Sequence, residues 1–471
     1  MNKFYCSSAA GLTLSLLLLF IQSSSAQTVT NKMFSFGSYG RVGVGFSPAI
    51  KGSLGRSLNL NGMGSMGGRM EEQDYLEMVT ALHFTPKIDD KKTIINIQTR
   101  LAVFTSQGQF LGNVTSNSFG GITFAMPEIY AEANNILGSD WSAWVGARLL
   151  RYNDIHIADY FYFDDHSSQG FGIKYKNTAF SMLFPGSVDT TSSLPPYFYL
   201  NIVNGTPTLG LRQRTVMVGE HDFKLNDKNT LKALGEYHFL ADATIDDQNT
   251  PLNYPSDNGW VFGLKHIYDM NSTLPGSFNQ FSVRYGEGIA NGGDGGASKT
   301  WLTYGAPNLS TQKFNDAYSW TFVEHFLFNL SKKFSINGYG IYTNSKGAAE
   351  SSNKAPDYLG REVFNRKTDI AVGVRTFVYL TDWLHLMNEL SFASRKDGTQ
   401  DPAQMVKFGI IPTLVPSAKR DPWARPHFRL VYTVAHYNDF ARDNLYSPYL
   451  QQVGNKSWGQ YIGVKAEWWL Y

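Results

Sequence analysis

YIGVKAEWWL, residues Tyr461–Leu470, fixes the kind of sheet this chain builds. Ile462, Val464, Ala466, Trp468 and Leu470 fall on one face of an extended strand, and Tyr461, Gly463, Lys465, Glu467 and Trp469 on the other. A lysine, a glutamate and an indole sharing one face suit neither lipid nor a dry core; they call for an enclosed, wet interior. A chain with such a strand beside its last residue also fits a sheet closed on itself, whose final strand pairs with its first and leaves no open edge.

Working outward, FSFGSYGRVGVGF (Phe34–Phe46) sets Phe34, Phe36, Val42, Val44 and Phe46 against Gly37, Tyr39, Arg41, Gly43 and Gly45. Between 93 and 104, Ile95, Ile97, Leu101 and Val103 oppose Asn96, Gln98 and Arg100. Between 278 and 285, Phe281, Val283 and Tyr285 oppose Phe278, Gln280, Ser282 and Arg284. Between 370 and 380, Ile370, Val372, Val374, Val378 and Leu380 oppose Gly373, Arg375 and Phe377. A soluble sandwich also alternates, but its outer face carries more charge. Arginine plus an aromatic ring on the polar face, repeated over strands of about ten residues, fits a transmembrane barrel with a polar lumen. Polar, Gly/Asn/Pro/Ser-rich stretches at 246–258, 291–307, 344–356 and 438–455 fall at roughly alternate connections, so long loops are expected at one end and short turns at the other.

Composition agrees with this class. Charged residues make up 17%, aromatics 14%, and there are 44 glycines, which suits short strands and open loops. The formal charge of +2 comes from dispersed residues, with no polybasic tract to recommend nucleic acid. Lys3, the apolar run Leu12–Ile21 and the small residues Ser24-Ser25-Ala26 read as a secretory leader, residues 1–26. No other stretch approaches the roughly 20 apolar residues of a spanning helix. Cys6 is the only cysteine and lies in the leader, so disulfides and thiol chemistry are not expected in the remainder. The expected architecture is all-β: one transmembrane antiparallel β-barrel over residues 27–471.

WVGARLLRYNDIHIADYFYFDD, Trp144–Asp165, begins as a strand and then stops alternating. Arg151, Asp154, His156, Asp159 and Asp164 lie there among aromatic rings, and the segment reads as a loop folded into a water-filled passage.

Taken in order, these segments resemble the sugar-specific porins of the maltoporin family. The resemblance rests on Phe34–Phe46, on GGRMEEQDYLEM (Gly67–Met78), on Trp144–Asp165, and on NGWVFGLKH (Asn258–His266). It continues through FNQFSVRY (Phe278–Tyr285), WARPHFRLVYT (Trp423–Thr433) and GVKAEWW (Gly463–Trp469). It implies an 18-stranded barrel of the Gram-negative outer membrane, assembled as a homotrimer and surrounded by outer-membrane lipid, with an inward-folded third loop. It further implies a path of rings for a mono- or oligosaccharide: Tyr39, Tyr75, Phe278, Trp423 and Trp469. The polar partners it implies are Arg41, Arg69, Glu77, Asp154, His156 and Asp159. Parity agrees independently for Tyr39, Phe278 and Trp469, which share faces with charged residues, and Trp423 shares parity with Arg425, His427 and Arg429.

The chemistry of such a path is simple. A sugar ring offers an apolar face of C–H groups to an aromatic ring and an equator of hydroxyls to carboxylates and guanidinium groups. Several weak, similar sites let a ligand enter and leave. This chain departs from the family pattern where Phe161 replaces the tyrosine of the constriction, where Tyr152 and Glu128 fall at arginine positions, and at the terminal Leu470–Tyr471. The ring that a neighbouring subunit donates in the family has Phe110 and Phe119 as candidates. Altered substrate range is the expectation.

Other readings are weaker. Aromatics outside these positions suit interface girdles. Asp154, His156 and Asp159 lack the cysteine or second histidine that would make a compact metal site, so neither metal nor cofactor is expected. GDGGASKT, in the glycine-rich stretch near residues 293–300, lacks the glycine before lysine of a phosphate loop. No Ser, His and acid cluster supports an outer-membrane esterase. The main rival is a general or amino-acid-type porin governed by charge alone.

Overall fold

The computed structural model describes residues 29–30, 33–50, 58–86, 92–105, 122–185, 199–203, 206–210, 213–247, 250–292, 302–358 and 360–470. The leader expected at 1–26, the candidates Phe110 and Phe119, and Tyr471 lie outside them.

One antiparallel sheet dominates. Its barrel strands are β1 (Phe34–Phe46), β2 (Tyr75–Phe84), β3 (Ile94–Thr105), β4 (Ile122–Asn134), β5 (Trp141–Arg148), β6 (Ser168–Tyr175), β7 (Thr178–Leu183), β8 (Arg214–Lys224) and β9 (Asn229–Leu240). They continue as β10 (Asp257–Asp269), β11 (Phe278–Gly288), β12 (Tyr318–Ser331), β13 (Phe334–Lys346), β14 (Arg366–Tyr379), β15 (Leu384–Asp397), β16 (Ala403–Leu414), β17 (His427–Tyr437) and β18 (Trp458–Leu470). Each pairs with the next, and β18 returns to β1 in a register running from Ser38↔Leu470 to Phe46↔Ile462. A two-residue strand, Val29–Thr30, adds to β1 alone. The barrel proper therefore has eighteen strands, the number the resemblance implies. Among the described residues no helix is long and apolar enough to cross a membrane; the crossing is made by strands, whose backbone groups are satisfied by their neighbours.

The solvent pattern is inverted relative to a water-soluble protein. Val44, Val145, Val372, Phe428, Leu430 and Val464 are exposed, whereas Arg375, Glu389, Lys407, Arg429, Lys465 and Glu467 are buried. The first set alternates with the second along β14, β17 and β18, as period-2 geometry requires of a wall with lipid outside and water inside. Exposed Trp260, Trp320, Tyr342 and Trp458 ring the long-loop end, and Trp141, Tyr175 and Trp383 the short-turn end. These are the girdle aromatics, distinct from the rings on the lumen face.

Long and short connections alternate as expected, with two exceptions. The β15–β16 loop spans only 398–402, and the β16–β17 turn extends over 415–426 and carries Trp423. Two expected loops are shorter than their composition suggests. Asp257–Asn258 belong to β10, and Asn344–Lys346 to β13, paired through Asn344↔Thr368 and Lys346↔Arg366. Ladder hydrogen bonding continues past the apolar band into polar residues, so composition ends the strand before the backbone does.

Two connections pack against the inner wall. Leu58, Leu60, Met63, Met66 and Met70, from the β1–β2 loop, are buried in one cluster with Tyr339, Met405, Tyr437 and Tyr461 of β13, β16, β17 and β18. The wall grips this loop mainly by its carbonyls: Tyr437 donates to Leu58 O (2.5 Å), Tyr339 to Met66 O (2.5 Å), Ser391 to Gly67 O (2.7 Å) and Lys407 to Gly68 O (3.0 Å). Gly68 has φ +97, and a Cβ there would lie 2.3 Å from Glu389 Oε1, so only glycine fits. The β5–β6 loop, 149–167, reaches β18 through His156 and the far wall through Tyr162–Gln280, Lys265–Asn153 and Arg284–Phe163 O contacts. Since Gln280, Lys265 and Arg284 all face the lumen, this loop runs inside the barrel.

Candidate functional site

The two inner loops leave a chamber of about 580 Å³ along the β1–β5 wall. Tyr39, Arg41, Arg69, Tyr75, Glu77, Asp154, His156, Asp159, Phe161 and Trp469 all line it. Of the residues expected from sequence only Trp423 and Phe278 lie off it. Trp423 sits in the β16–β17 turn, 6.2 Å from Trp469 and 6.0 Å from His156 between ring centroids, so it extends the chamber toward the turn end. Phe278, at the turn-side start of β11, packs edge-on to His325 at 5.0 Å, apart from the other four rings.

The rings descend from the loop side to the turn side. Tyr75 opens β2, and its centroid lies 6.0 Å from Tyr39. Tyr39 is paired directly with Trp469 across the β1–β18 seam. Cations lie over them: the Arg41 guanidinium is 5.2 Å from the Tyr75 centroid, and that of Arg425 is 4.4 Å from Trp469.

Around this surface the charges are paired closely. Glu467, 2% exposed, accepts from His427 Nε2 (2.9 Å) and Tyr39 OH (3.2 Å), and lies 3.3 Å from Arg425, Arg429 and His156 nitrogens. Arg69 donates to Glu72 (2.6 Å) and to the carbonyl of His156 (2.8 Å), which ties the β1–β2 loop to the β5–β6 loop. Within the latter, His156–Ala158 form a single 3₁₀ turn closed by Asp159 in the left-handed region (φ 44). A short polar side chain tolerates that conformation.

Glu72 lies outside the strands, between Arg41 (3.4 Å) and Arg69 (2.6 Å). Burial would raise its carboxyl, but the two guanidinium groups outweigh it and hold the group down at about 2. A carboxylate depressed from 4.5 to about 2 contributes roughly 3 kcal/mol above pH 4.5 and loses it as the pH falls toward 2. Glu72→Gln should therefore lose resistance to urea at neutral pH and show a flatter acid decline than wild type. It should also shift the reversal potential toward anions. Superimposable urea curves at both pH extremes would refute the assignment.

The family departures are locally consistent. Arg100 of β3 bridges Glu77 and Glu128, the latter at 2.7 Å, and Glu128 accepts from Leu149 N (3.1 Å). The carboxylate at 128 thereby fastens the root of the inner loop and balances an arginine from the adjacent strand. Phe161 carries the Arg151 guanidinium 4.3 Å from its ring centroid. Arg100, Glu72 and Glu467 were not among the expected site residues. Parity alone marks two of them, since Glu467 is two residues from Trp469 and Arg100 opposes the apolar face of β3.

A closed eighteen-stranded barrel, greasy outside and lined within by paired charges and rings, has the wall of a membrane channel, and the family that the chain matches makes it an outer-membrane porin rather than an enzyme. This chain belongs to the LamB porin family, whose model matches residues 34–469, and its place is the Gram-negative outer membrane. It is similar to the maltoporin of Vibrio cholerae serotype O1, with 23% identity over 306 residues, 64% of this chain. The match spans 63% of that relative's length. Among solved structures it is similar to OmpT of Vibrio cholerae (8% identity, TM-score 0.39, covering 94% of this chain and 100% of that one). It is also similar to the channel DcaP of Acinetobacter baumannii (10% identity, TM-score 0.40, covering 94% and 100%).

Proposed function

We propose that this porin conducts sugars, including maltooligosaccharides, by facilitated diffusion, and that it works as a homotrimer. The observation that carries the reading is the run of rings Tyr75, Tyr39, Trp469 and Trp423, flanked by Arg41, Arg69, Glu77, Asp154, His156 and Asp159. Rings accept the C–H faces of successive pyranoses while the charged rim exchanges hydrogen bonds with their hydroxyls. Family membership and the likeness to a maltoporin support it. The β5–β6 loop sets the bore, with Phe161 at the constriction and Phe278 a further contact at the turn-side exit.

Planar-bilayer conductance tests the reading. Maltooligosaccharides or sucrose at millimolar levels should interrupt the ion current; an uninterrupted current would instead identify a general or amino-acid-type porin. Electrophoresis of unheated protein tests the trimer. Phe161→Tyr returns a hydroxyl beside Arg151 and should alter the ranking of sugars as blockers while changing ion conductance little. An unchanged ranking would move the selective point elsewhere.

A further inference from the structure

Lys346 is the last residue of β13 and Arg366 the first of β14, and the register sets them directly opposite each other. Lys396 of β15 faces Thr368, two residues along from Arg366, so this third cation lies on the diagonal. Their chain neighbours Ser345, Lys367 and Arg395 are buried on the lumen side, and alternation therefore turns Lys346, Arg366 and Lys396 outward. Opposed residues on one face lie about 5 Å apart and diagonal ones about 7–8 Å, so three long side chains share one patch.

The two faces of these strands treat their cations differently. On the lumen side Lys367 and Arg395 both pair with Asp369, at 3.4 and 2.6 Å. On the outer side, among the described residues, no ion pair neutralises Lys346, Arg366 or Lys396. Like charges set opposite each other weaken a strand pair, and an anion held between them removes that cost. The depth of the patch indicates which anion. Trp320, an exposed ring of the girdle, pairs with Asn344, and Lys346 lies two residues, about 7 Å, further toward the loops. That is the headgroup level of the leaflet on the long-loop side, which in an outer-membrane barrel is the outer leaflet. Beneath it Tyr342, Ile370 and Val372 are exposed and offer an apolar strip.

We propose that Lys346, Arg366 and Lys396 seat the phosphate of an outer-leaflet lipid whose acyl chains lie along Tyr342, Ile370 and Val372. The ligand class is a phosphorylated amphiphile. The Arg366 guanidinium presents paired donors to two phosphate oxygens, and the two ammonium groups add point charge. This seat lies on the outside of the wall and does not depend on what the pore conducts.

The test is native mass spectrometry of the purified protein in detergent micelles, with bisphosphorylated lipid A and its fully dephosphorylated form as probes. Wild type should hold the phosphorylated lipid at least about tenfold more tightly than the Lys346→Gln/Arg366→Gln/Lys396→Gln variant. The dephosphorylated lipid should bind both proteins equally weakly. Lys332→Gln/Lys333→Gln removes two exposed lysines at the turn end and should leave retention unchanged. Ion conductance reports an intact barrel in every variant. Equal retention by wild type and the triple variant would overturn the proposal, as would a matching loss in the Lys332/Lys333 variant. Displacement of the lipid by an equal concentration of inorganic phosphate would overturn it in favour of a site for the free anion. Dissociation of the triple variant into monomers on unheated electrophoresis, with lipid retention intact, would overturn it in favour of a contact between subunits.

Discussion

Glu467→Ala should cost the barrel about 3–5 kcal/mol, the range found when one partner of a buried ion pair is removed. The glutamate is the shared acceptor for Tyr39 and His427 and the counter-charge for Arg425 and Arg429. Truncation leaves the guanidinium groups of Arg425, from the β16–β17 turn, and Arg429, from β17, without the β18 carboxylate that both of them face. A urea titration of refolded protein should show the midpoint falling, and the surviving channels should turn markedly anion-selective because the positive groups remain. Glu467→Gln keeps an acceptor but not the charge, so it should recover part of the stability and little of the ion selectivity. Identical midpoints and reversal potentials for all three proteins would mean that this cluster contributes nothing.

The second large effect belongs to the rings. Trp469 lies at the centre of the path, paired with Tyr39, 6.2 Å from Trp423 and 5.1 Å from His156. Trp469→Ala removes one stacking surface and also uncovers Arg425. Sugar block should weaken about tenfold, from the loss of roughly 1–1.5 kcal/mol. Ion conductance should hold steady or rise, because an indole has been replaced by water. Trp423→Ala, which removes one ring with no arginine placed over it, should weaken block less, and Tyr75→Ala, which also uncovers Arg41, should fall between the two. Block that persists at wild-type strength in Trp469→Ala would eliminate the aromatic path, whatever Tyr75 and Trp423 do.

How much of this was legible in the sequence depended on whether side chains or backbone carried the information. Alternation through Phe34–Phe46 and Tyr461–Leu470 separated lipid face from lumen, because each face has its own solvent and a one-residue error would invert both. Parity places Phe278 on the lumen face but cannot name its quadrant, which is the wall opposite the other four rings that the resemblance joins it with. The packing of residues 58–72 had no sequence signature. NLNGMGSMGGRM (Asn59–Met70) has neither period, and its methionines find a core only because the β1–β2 loop turns inward. Glu128 falls at a family arginine position, and the arginine that pairs with it, Arg100, comes from the adjacent strand, a pairing that only the strand register brings out.

The grip on the β1–β2 loop bears on how such a pore can drift over generations. Tyr339, Ser391, Lys407 and Tyr437 hold it by carbonyl groups that every residue type possesses. Side chains of the loop outside the buried Leu58–Met70 cluster and the Lys407 contacts to Asn59 and Glu71 can therefore be exchanged without releasing it, Gly68 excepted. The instructions for how wide this opening stands are written largely in the wall, where they are sheltered from whatever pressures act on the outward-facing segments.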